Sequence, residues 1–262
     1  MIRPKKSLGQ NFLIDQKIIE IITNLIKIEN KNILEVGAGT GNLTSAILNK
    51  KPKKLIVVEK DNELAILLKK KFLNKIKIIN EDILKIDENS LEEEKLTVFG
   101  NLPYNISTEI LSNWILKLNL ERLWFDRLIL MFQKEVADRI ISDFNSKNYG
   151  RLSVLTNWKL DVEKITDIKP SSFFPRPKIQ SSILIFKPKK NFFKLDDPKS
   201  LEKITRIFFM HRRKMIKKPY NQIFNGNKDV SLKLKIDLKL RPQNINSDTY
   251  FRLAAEYEKL TS

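Results

Sequence analysis

Short apolar runs alternate with amphipathic stretches over the first half of the chain, and this alternation constrains the fold more than any other feature. Residues 15–28 carry apolar side chains at helical spacing, with Asp15 placed to cap the helix. Strands alternating with helices predict right-handed crossovers and a mostly parallel sheet covered on both faces. The predicted strands lie within 32–39, 54–61, 76–84, 96–104 and 127–132, and helices are predicted within 40–50, 63–72, 107–118 and 133–142.

The last apolar runs of this region lack a long helix between them. We expect strands near residues 154–168 and 181–188, arranged as an antiparallel hairpin at the edge of the sheet. The predicted fold class is therefore α/β, with a mostly parallel seven-stranded sheet.

The character of the sequence changes after residue 187. Residues 188–262 look entirely helical and contain 18 Lys and Arg against 8 Asp and Glu. We therefore predict an α/β domain over residues 1–187 and a small, basic, all-α domain over residues 188–262 that helps to hold a polyanion.

The whole chain is basic, with a formal net charge of +18. An excess of this size favours a nucleic-acid partner, because phosphate contacts release counterions. Lysine outnumbers arginine, and isoleucine and asparagine are both abundant. Biased base composition in the coding DNA also produces this pattern. Charge alone therefore leaves both explanations open.

The side-chain inventory excludes several kinds of chemistry. The sequence has no cysteine and a single histidine, His211, which excludes thiolate nucleophiles and cysteine or multi-histidine metal sites. We expect no bound metal. The sequence lacks a run of about 18 apolar residues and a secretory signal at its N-terminus, so we expect a cytoplasmic protein without a membrane partner.

A glycine-rich turn follows the first strand of the predicted sheet. Gly37, Gly39 and Gly41 have the spacing G-x-G-x-G, which lets backbone N–H groups approach a ligand closely. It is not the G-x-G-x-x-G spacing of dinucleotide-binding loops. Glycines also serve tight turns for steric reasons, so this motif is a weak signal by itself.

Two acidic residues at the ends of the next strands strengthen the signal. Glu59 is placed to accept hydrogen bonds from ribose hydroxyls, and Asp82 to meet the exocyclic amine of an adenine. Either acid alone is equally consistent with a helix N-cap. Together with the glycines they indicate an adenosyl ligand at the carboxyl edge of the sheet.

The fourth strand runs into the sequence NLPY at the same edge. Asn101 and the Leu102 carbonyl are acceptors for an adenine amine, and Pro103 makes the turn rigid. Tyr104 presents an aromatic face on which a flipped base can stack. This set of residues suits methyl transfer to an amine, which needs no strong general base.

The motifs GQNFL, EVGAGTGNLT, VVEKD, NEDIL, FGNLPYNIST, QKEVADRI, YGRLSV, FFPRPKIQSSI and FFMHRRKMI occur in this order. The chain thereby resembles the small-subunit ribosomal RNA adenine dimethyltransferases over nearly its whole length. The resemblance implies a Rossmann-like class I methyltransferase fold, S-adenosyl-L-methionine as cofactor and N6,N6-dimethylation of two adjacent adenines near the 3′ end of 16S rRNA. It also implies a monomer that acts on the immature 30S particle during small-subunit biogenesis.

The resemblance assigns further residues by motif. It implies that Asn11 and Leu13 join the glycine loop, Glu59, Asp82, Ile83 and Asn101 in the cofactor site. It implies that Phe173 closes over the target base opposite Tyr104. The RNA-binding residues implied by the family motifs are Arg176, Lys178, Arg212, Arg213 and Lys214.

The chain departs from the family pattern at two places. Ala38 stands where proline is frequent, which we expect to be harmless to cofactor binding. KKPY replaces the usual continuation of the basic motif, so we expect Pro219 to end that helix early and the RNA contacts there to differ. His211 lies beside this motif and is interpreted as incidental.

Three alternatives remain at this point. The related large-subunit (23S) rRNA adenine-N6 methyltransferases of the macrolide-resistance type share the glycine loop and a similar Asn-x-Pro-Tyr site. A ribosome-assembly factor that acts mainly by binding would also have a basic appendage. A nicotinamide oxidoreductase is disfavoured by the glycine spacing and by NLPY.

Overall fold

The computed structural model describes residues 4–261, apart from the side chain of Lys6. Its strands are β1 Phe12–Leu13, β2 Asn32–Val36, β3 Lys54–Val58, β4 Lys77–Ile79, β5 Leu96–Gly100, β6 Phe125–Gln133, β7 Leu160–Ile168, β8 Phe173–Phe174 and β9 Ser181–Pro188. Its helices are α1 Gln16–Asn24, α2 Asn42–Asn49, α3 Asn62–Phe72, α4 Ser107–Lys117, α5 Lys134–Ile140, α6 Arg151–Lys159, α7 Pro198–Phe209, α8 Lys217–Phe224, α9 Lys228–Lys233 and α10 Ser247–Thr261.

One seven-stranded sheet has the order β4-β3-β2-β5-β6-β9-β7. The pairs from β4 to β6 are parallel, and β9 pairs with β6 in the antiparallel direction. The α/β class and the mostly parallel sheet are thereby confirmed. Strand order reverses at β2, whose neighbours are β3 on one side and β5 on the other, and ligands in such sheets bind outside the carboxyl ends at this point.

The predicted start of the first helix is also confirmed. Asp15 accepts hydrogen bonds from the backbone N–H groups of Lys17 and Ile18, at 3.0 and 3.4 Å. These contacts satisfy two of the donors that a helix leaves open at its N-terminus. The helix ends at Asn24, four residues before the end of the segment predicted from its apolar spacing.

The strand expected to begin near Val154 is wrong in its first part. Residues 151–159 form α6, and the strand β7 begins only at Leu160. Val154, Leu155, Thr156 and Trp158 are all buried, so this helix has no solvent-exposed face in its second half. A short run that is buried on all sides shows no helical periodicity, and it cannot be told from a strand by pattern.

The chain divides into two compact units. The first contains the described residues up to Leu111 together with 121–137 and 162–188. The second contains 112–120, 138–161 and the described residues from 189 onwards. From residue 189 to residue 261 the structure has helices and no strand.

The second unit has its own aromatic core. Phe208 and Phe209 at the end of α7 lie 5.8 and 5.4 Å from Tyr250 of α10, measured between ring centroids. The fully buried Tyr250 hydroxyl donates to the Pro242 carbonyl at 2.8 Å. None of the helices within residues 4–261 has the length and apolar character required to span a bilayer.

Candidate active site

A cleft with an empty volume of about 870 Å³ opens at the carboxyl ends of β2, β3 and β5. Five stretches of the first unit line it. They are residues 7–12, the glycine loop after β2, the residues that follow β3 and β4, and residues 101–106 after β5. The cleft therefore lies at the edge where the sequence places its candidate residues.

The glycine loop has the backbone conformation that favours glycine. Gly37, Gly39 and Gly41 have φ angles of +75°, +59° and +78°. A Cβ atom on Gly39 would lie only 2.6 Å from Cδ1 of Phe12, and one on Gly41 only 2.7 Å from Cε2 of Phe72. Gly37 and Gly39 line the cleft, whereas Gly41 starts α2 and packs against α3.

Glu59 holds the glycine loop to the end of β3. Its Oε2 accepts a hydrogen bond from Gly39 N at 3.0 Å, and its Oε1 accepts one from Asp61 N at 3.0 Å. Burial raises the pKa of the Glu59 carboxyl, and these two backbone donors oppose the rise. The carboxylate thus lies in the wall of the cleft with backbone donors already on both oxygens.

Asp82 follows β4 and caps a short 3₁₀ helix that begins at Ile83. Its Oδ1 accepts from Leu84 N at 3.1 Å and its Oδ2 from the Lys60 ammonium at 2.8 Å. Burial alone would raise the pKa of Asp82, but these hydrogen bonds outweigh it and the net shift is downward. Asp82 and Ile83 both line the cleft.

Asn101 is oriented by the N-terminal segment. Its Nδ2 donates to the Asn11 carbonyl at 2.8 Å, and Asn11 Nδ2 donates to the Gly9 carbonyl at 3.2 Å. The bond to Asn11 uses a donor of the Asn101 amide, which leaves the side-chain oxygen and the Leu102 carbonyl as acceptors. All of these residues line the cleft.

The turn after Asn101 leads directly into α4. The Pro103 carbonyl accepts from Ile106 N at 3.1 Å and from Ser107 N at 3.0 Å. The Tyr104 hydroxyl shares a 2.5 Å hydrogen bond with the Ser181 hydroxyl. Burial raises the pKa of the Tyr104 phenol and the Ser181 bond opposes it, so the phenol is protonated at neutral pH and does not act as a base.

Asp61 anchors the N-terminal wall of the cleft, which sequence reasoning missed. Its Oδ1 accepts from the Lys5 ammonium at 2.9 Å and its Oδ2 from Gln10 Nε2 at 2.8 Å. Asp61 also caps α3 by accepting from Glu63 N at 3.0 Å. The cap was visible in the sequence as an acid before a helix, but nothing local indicated the two long-range partners.

The structure does not bring two of the predicted residues to the cleft. Leu13 and Phe173 are opposite each other across the antiparallel pair of β1 and β8, and both side chains belong to the hydrophobic core. Phe173 is 2% exposed and does not line the cleft, and its closure over the target base stays a prediction. The Leu13 carbonyl instead accepts from Asn42 Nδ2 at 2.9 Å.

Glu35 is a buried acid that the sequence analysis did not single out. It lies in β2, two residues before Gly37, and burial raises its pKa to about 7. Thr44 opposes the rise in part, yet neither Glu35 Oε2 nor Thr44 Oγ1 has a well-formed hydrogen bond within residues 4–261. An uncharged Glu35 is therefore the favoured form below neutral pH.

Of the RNA-binding residues expected in the second unit, Arg212 has a structural contact. Its guanidinium donates to the Lys147 carbonyl and is partly buried, and this burial lowers its pKa. Arg213 and Lys214 are exposed. In the first unit, Arg176 and Lys178 are exposed in the segment between β8 and β9.

The basic motif does not lie in a helix, and the effect expected of Pro219 is wrong. Helix α7 ends at Phe209, and residues 210–214 form a turn before α8 begins at Lys217. Pro219 is the third residue of α8. Proline is accepted in the first turn of a helix because its missing N–H has no partner there.

Comparisons with known proteins agree on one family. A model of the ribosomal RNA adenine dimethylase family matches residues 1–259. The chain is 66% identical over 259 residues to a ribosomal RNA small subunit methyltransferase A from Pelagibacter ubique, covering 99% of this chain and 98% of that protein. It is 40% identical over 270 residues to the protein of the same name from Wolbachia sp. subsp. Drosophila simulans, with coverage of 99% and 96%.

Solved structures give the same fold. A dimethyladenosine transferase from Plasmodium falciparum superposes with a TM-score of 0.76 at 26% identity, covering 95% of this chain and 98% of that one. The 23S rRNA methyltransferase ErmE superposes with a TM-score of 0.66 at 21% identity, covering 96% and 100%. The likeness to ErmE shows the fold alone, and together the two confirm a Rossmann-like methyltransferase fold.

Proposed function

The chain belongs to the ribosomal RNA adenine dimethylase family, and from this premise we propose that it dimethylates the N6 atoms of two adjacent adenines near the 3′ end of small-subunit (16S) rRNA. The observation that carries the proposal is the position of Asn101. Its amide is held by the Asn11 carbonyl at 2.8 Å, in the same cleft as the Gly39–Glu59 pair.

The residues of the cleft fit S-adenosyl-L-methionine. Gly37 and Gly39 line the cleft and have no side chain, so backbone groups meet a ligand directly in this part of the wall. In our proposal Gly37 and Gly39 contact the methionine part, Glu59 accepts from the ribose hydroxyls, and Asp82 with Ile83 holds the adenine. The cofactor, when bound, would supply an electrophilic methyl group on a sulfonium, whose sulfur would leave as a neutral thioether when the S–C bond breaks.

The residues after β5 act on the target amine. The lone pair of an adenine amine is delocalised into the ring, so the nitrogen must become more tetrahedral before it attacks the methyl carbon. The Asn101 side-chain oxygen and the Leu102 carbonyl accept the N–H hydrogens and stabilise this change as charge develops. Tyr104 stacks on the flipped base, a contact typically worth about 1–3 kcal/mol. The proton leaves to solvent after transfer.

The basic residues hold the RNA. Arg176 and Lys178 in the first unit, and Arg213 and Lys214 in the second, are exposed cations that suit phosphate contacts. We propose that the substrate is an immature small subunit in the cytoplasm, that the enzyme acts as a monomer without a metal, and that residues 1–187 and 188–262 form the catalytic and RNA-binding domains. Within the described residues, no cluster of His, Asp and Glu suits a metal ion.

The first experiment is methyl transfer from labelled S-adenosylmethionine to purified small subunits lacking the modification, with large subunits in parallel. Nucleoside analysis should find N6,N6-dimethyladenine on the small subunit alone. Label on the large subunit would instead support the macrolide-resistance type of activity. Binding to small subunits without any label would support an assembly factor that acts by binding.

A further inference from the structure

Phe174 is an aromatic residue that the proposed chemistry leaves without a role. Its side chain is 57% exposed, although it lies in the short strand β8 beside the buried Phe173. Single exposed apolar residues are common on protein surfaces. Phe174 differs from such residues because of its position relative to the cleft.

The pairing of β1 with β8 determines the side on which Phe174 lies. Residues opposite each other in an antiparallel pair share a face, and successive residues alternate between faces. Leu13 and Phe173 form one opposed pair and enter the core, while Phe12 and Phe174 form the other. Because Phe12 lines the cleft, Phe174 lies on the cleft side of this two-stranded ribbon.

Hydrogen bonds hold the β8 end of this segment. The Ser172 carbonyl accepts from Ile14 N at 2.9 Å, and the Ser172 hydroxyl donates to Asp15 Oδ2 at 2.8 Å. These bonds join the residue before β8 to the cap of α1. Phe174 is therefore presented on a firmly held backbone.

The other end of the segment is tied to the catalytic turn. Ser181, the first residue of β9, shares its hydroxyl hydrogen bond with Tyr104, and the Gln180 carbonyl accepts from Lys134 N at 2.9 Å. Residues 174–180 thus connect the Phe12 side of the cleft with its Tyr104 side.

The positive charge of the segment around Phe174 suits binding to a polyanion. Residues 168–188 contain four basic residues and no acid. Arg176 and Lys178 follow Phe174 by two and four positions, and both side chains are exposed. An exposed ring with neighbouring cations is the arrangement that binds single-stranded nucleic acid, in which bases stack and phosphates pair.

Resting on the proposed function, we propose that Phe174 stacks on a nucleobase that flanks the target adenine, while Arg176 and Lys178 contact the adjoining phosphates. The target base itself belongs to the cleft, where Tyr104 lies. Phe174 does not line that cleft, so its base is one that stays outside while its neighbour reacts.

The test compares Phe174→Leu with Phe174→Trp, using small subunits that lack the modification and saturating cofactor. Leucine keeps an apolar side chain but loses the aromatic face, so KM for the subunit should rise about 5- to 30-fold with kcat within about twofold. Tryptophan should restore KM to within about twofold of the wild type. Cofactor affinity, measured by calorimetry, should be the same in all three proteins.

A matched control is Ile66→Ala, which changes another exposed apolar side chain of the first unit, 54% exposed on α3. This variant should keep the wild-type KM. A Phe174→Leu variant with wild-type KM, or one with weakened cofactor binding, would overturn the stacking role. A wild-type protein that fails to methylate small subunits would instead refute the proposed function.

Discussion

At the scale of single residues, Glu59 and Tyr104 separate cofactor binding from turnover. Glu59→Ala should weaken S-adenosylmethionine binding by about tenfold or more, because it removes the acceptor for the ribose and the partner of Gly39 N. Tyr104→Ala should leave cofactor affinity unchanged and lower kcat/KM for the RNA. Calorimetry and initial rates on both variants measure these effects. Equal cofactor affinity for the wild type and Glu59→Ala would count against the assignment.

The buried carboxyl of Glu35 leads to a second prediction, on how the free energy of unfolding depends on pH. Its folded-state pKa of about 7 lies above its ordinary value of 4.5, so the folded state binds more protons than the unfolded state between these values. The contribution of Glu35 to stability is therefore present below pH 4.5 and is lost as pH rises to about 7, by about 3 kcal/mol in total.

Glu35→Gln should abolish this loss, because glutamine stays neutral. The variant should be more stable than the wild type by up to about 3 kcal/mol at pH 8, and the difference should shrink towards pH 4.5. Urea unfolding at several pH values measures it. A difference that is the same at pH 5 and pH 8 would show that the Glu35 carboxyl does not titrate as we infer.

At the scale of elements, the N-terminal wall of the cleft depends on Asp61. Asp61→Ala should weaken cofactor binding about 3- to 30-fold, although Asp61 does not line the cleft, because Lys5 and Gln10 lose their shared partner. The matched control is Glu63→Ala, which removes only the more exposed ion pair of Lys5. Calorimetry with cofactor compares the two, and equal losses would contradict a specific role for Asp61.

The elements also show how far sequence reasoning reaches. The strand ends that carry Gly37, Glu59, Asp82 and Asn101 were predictable because apolar runs, glycines and acids are local signals. Helix α6 was not predictable, because burial on nearly all sides removes the alternation of apolar and polar residues that marks a helix. The burial of Phe173 was also not predictable from the sequence. It follows from the register of β8 against β1, which joins residues far apart in sequence.

At the scale of the whole molecule, the basic excess makes RNA binding dependent on salt. Replacing both Arg213 and Lys214 by alanine should reduce the slope of log affinity against log salt by about 1–2, because two exposed cations are lost. Lys259→Ala should change the slope less, since Lys259 already pairs with Glu256 at 2.8 Å. Filter binding to small subunits over a range of salt tests this, and an unchanged slope in the double variant would refute it.

Arg212 should behave differently from its neighbours. Arg212→Ala removes the hydrogen bond to the Lys147 carbonyl, so its main effect should be a lower melting temperature, which the double variant above should not show.

The pairing of Phe12 with Phe174 has a consequence for how the enzyme is made. The two partners are separated by roughly 160 residues of chain, and a ribosome adds about 5–20 residues per second. Residues 7–12 are therefore synthesised roughly 8–30 seconds before β8 exists to pair with them. The segment that forms one wall of the cleft therefore gains its β8 partner only after a ribosome has synthesised most of the first unit.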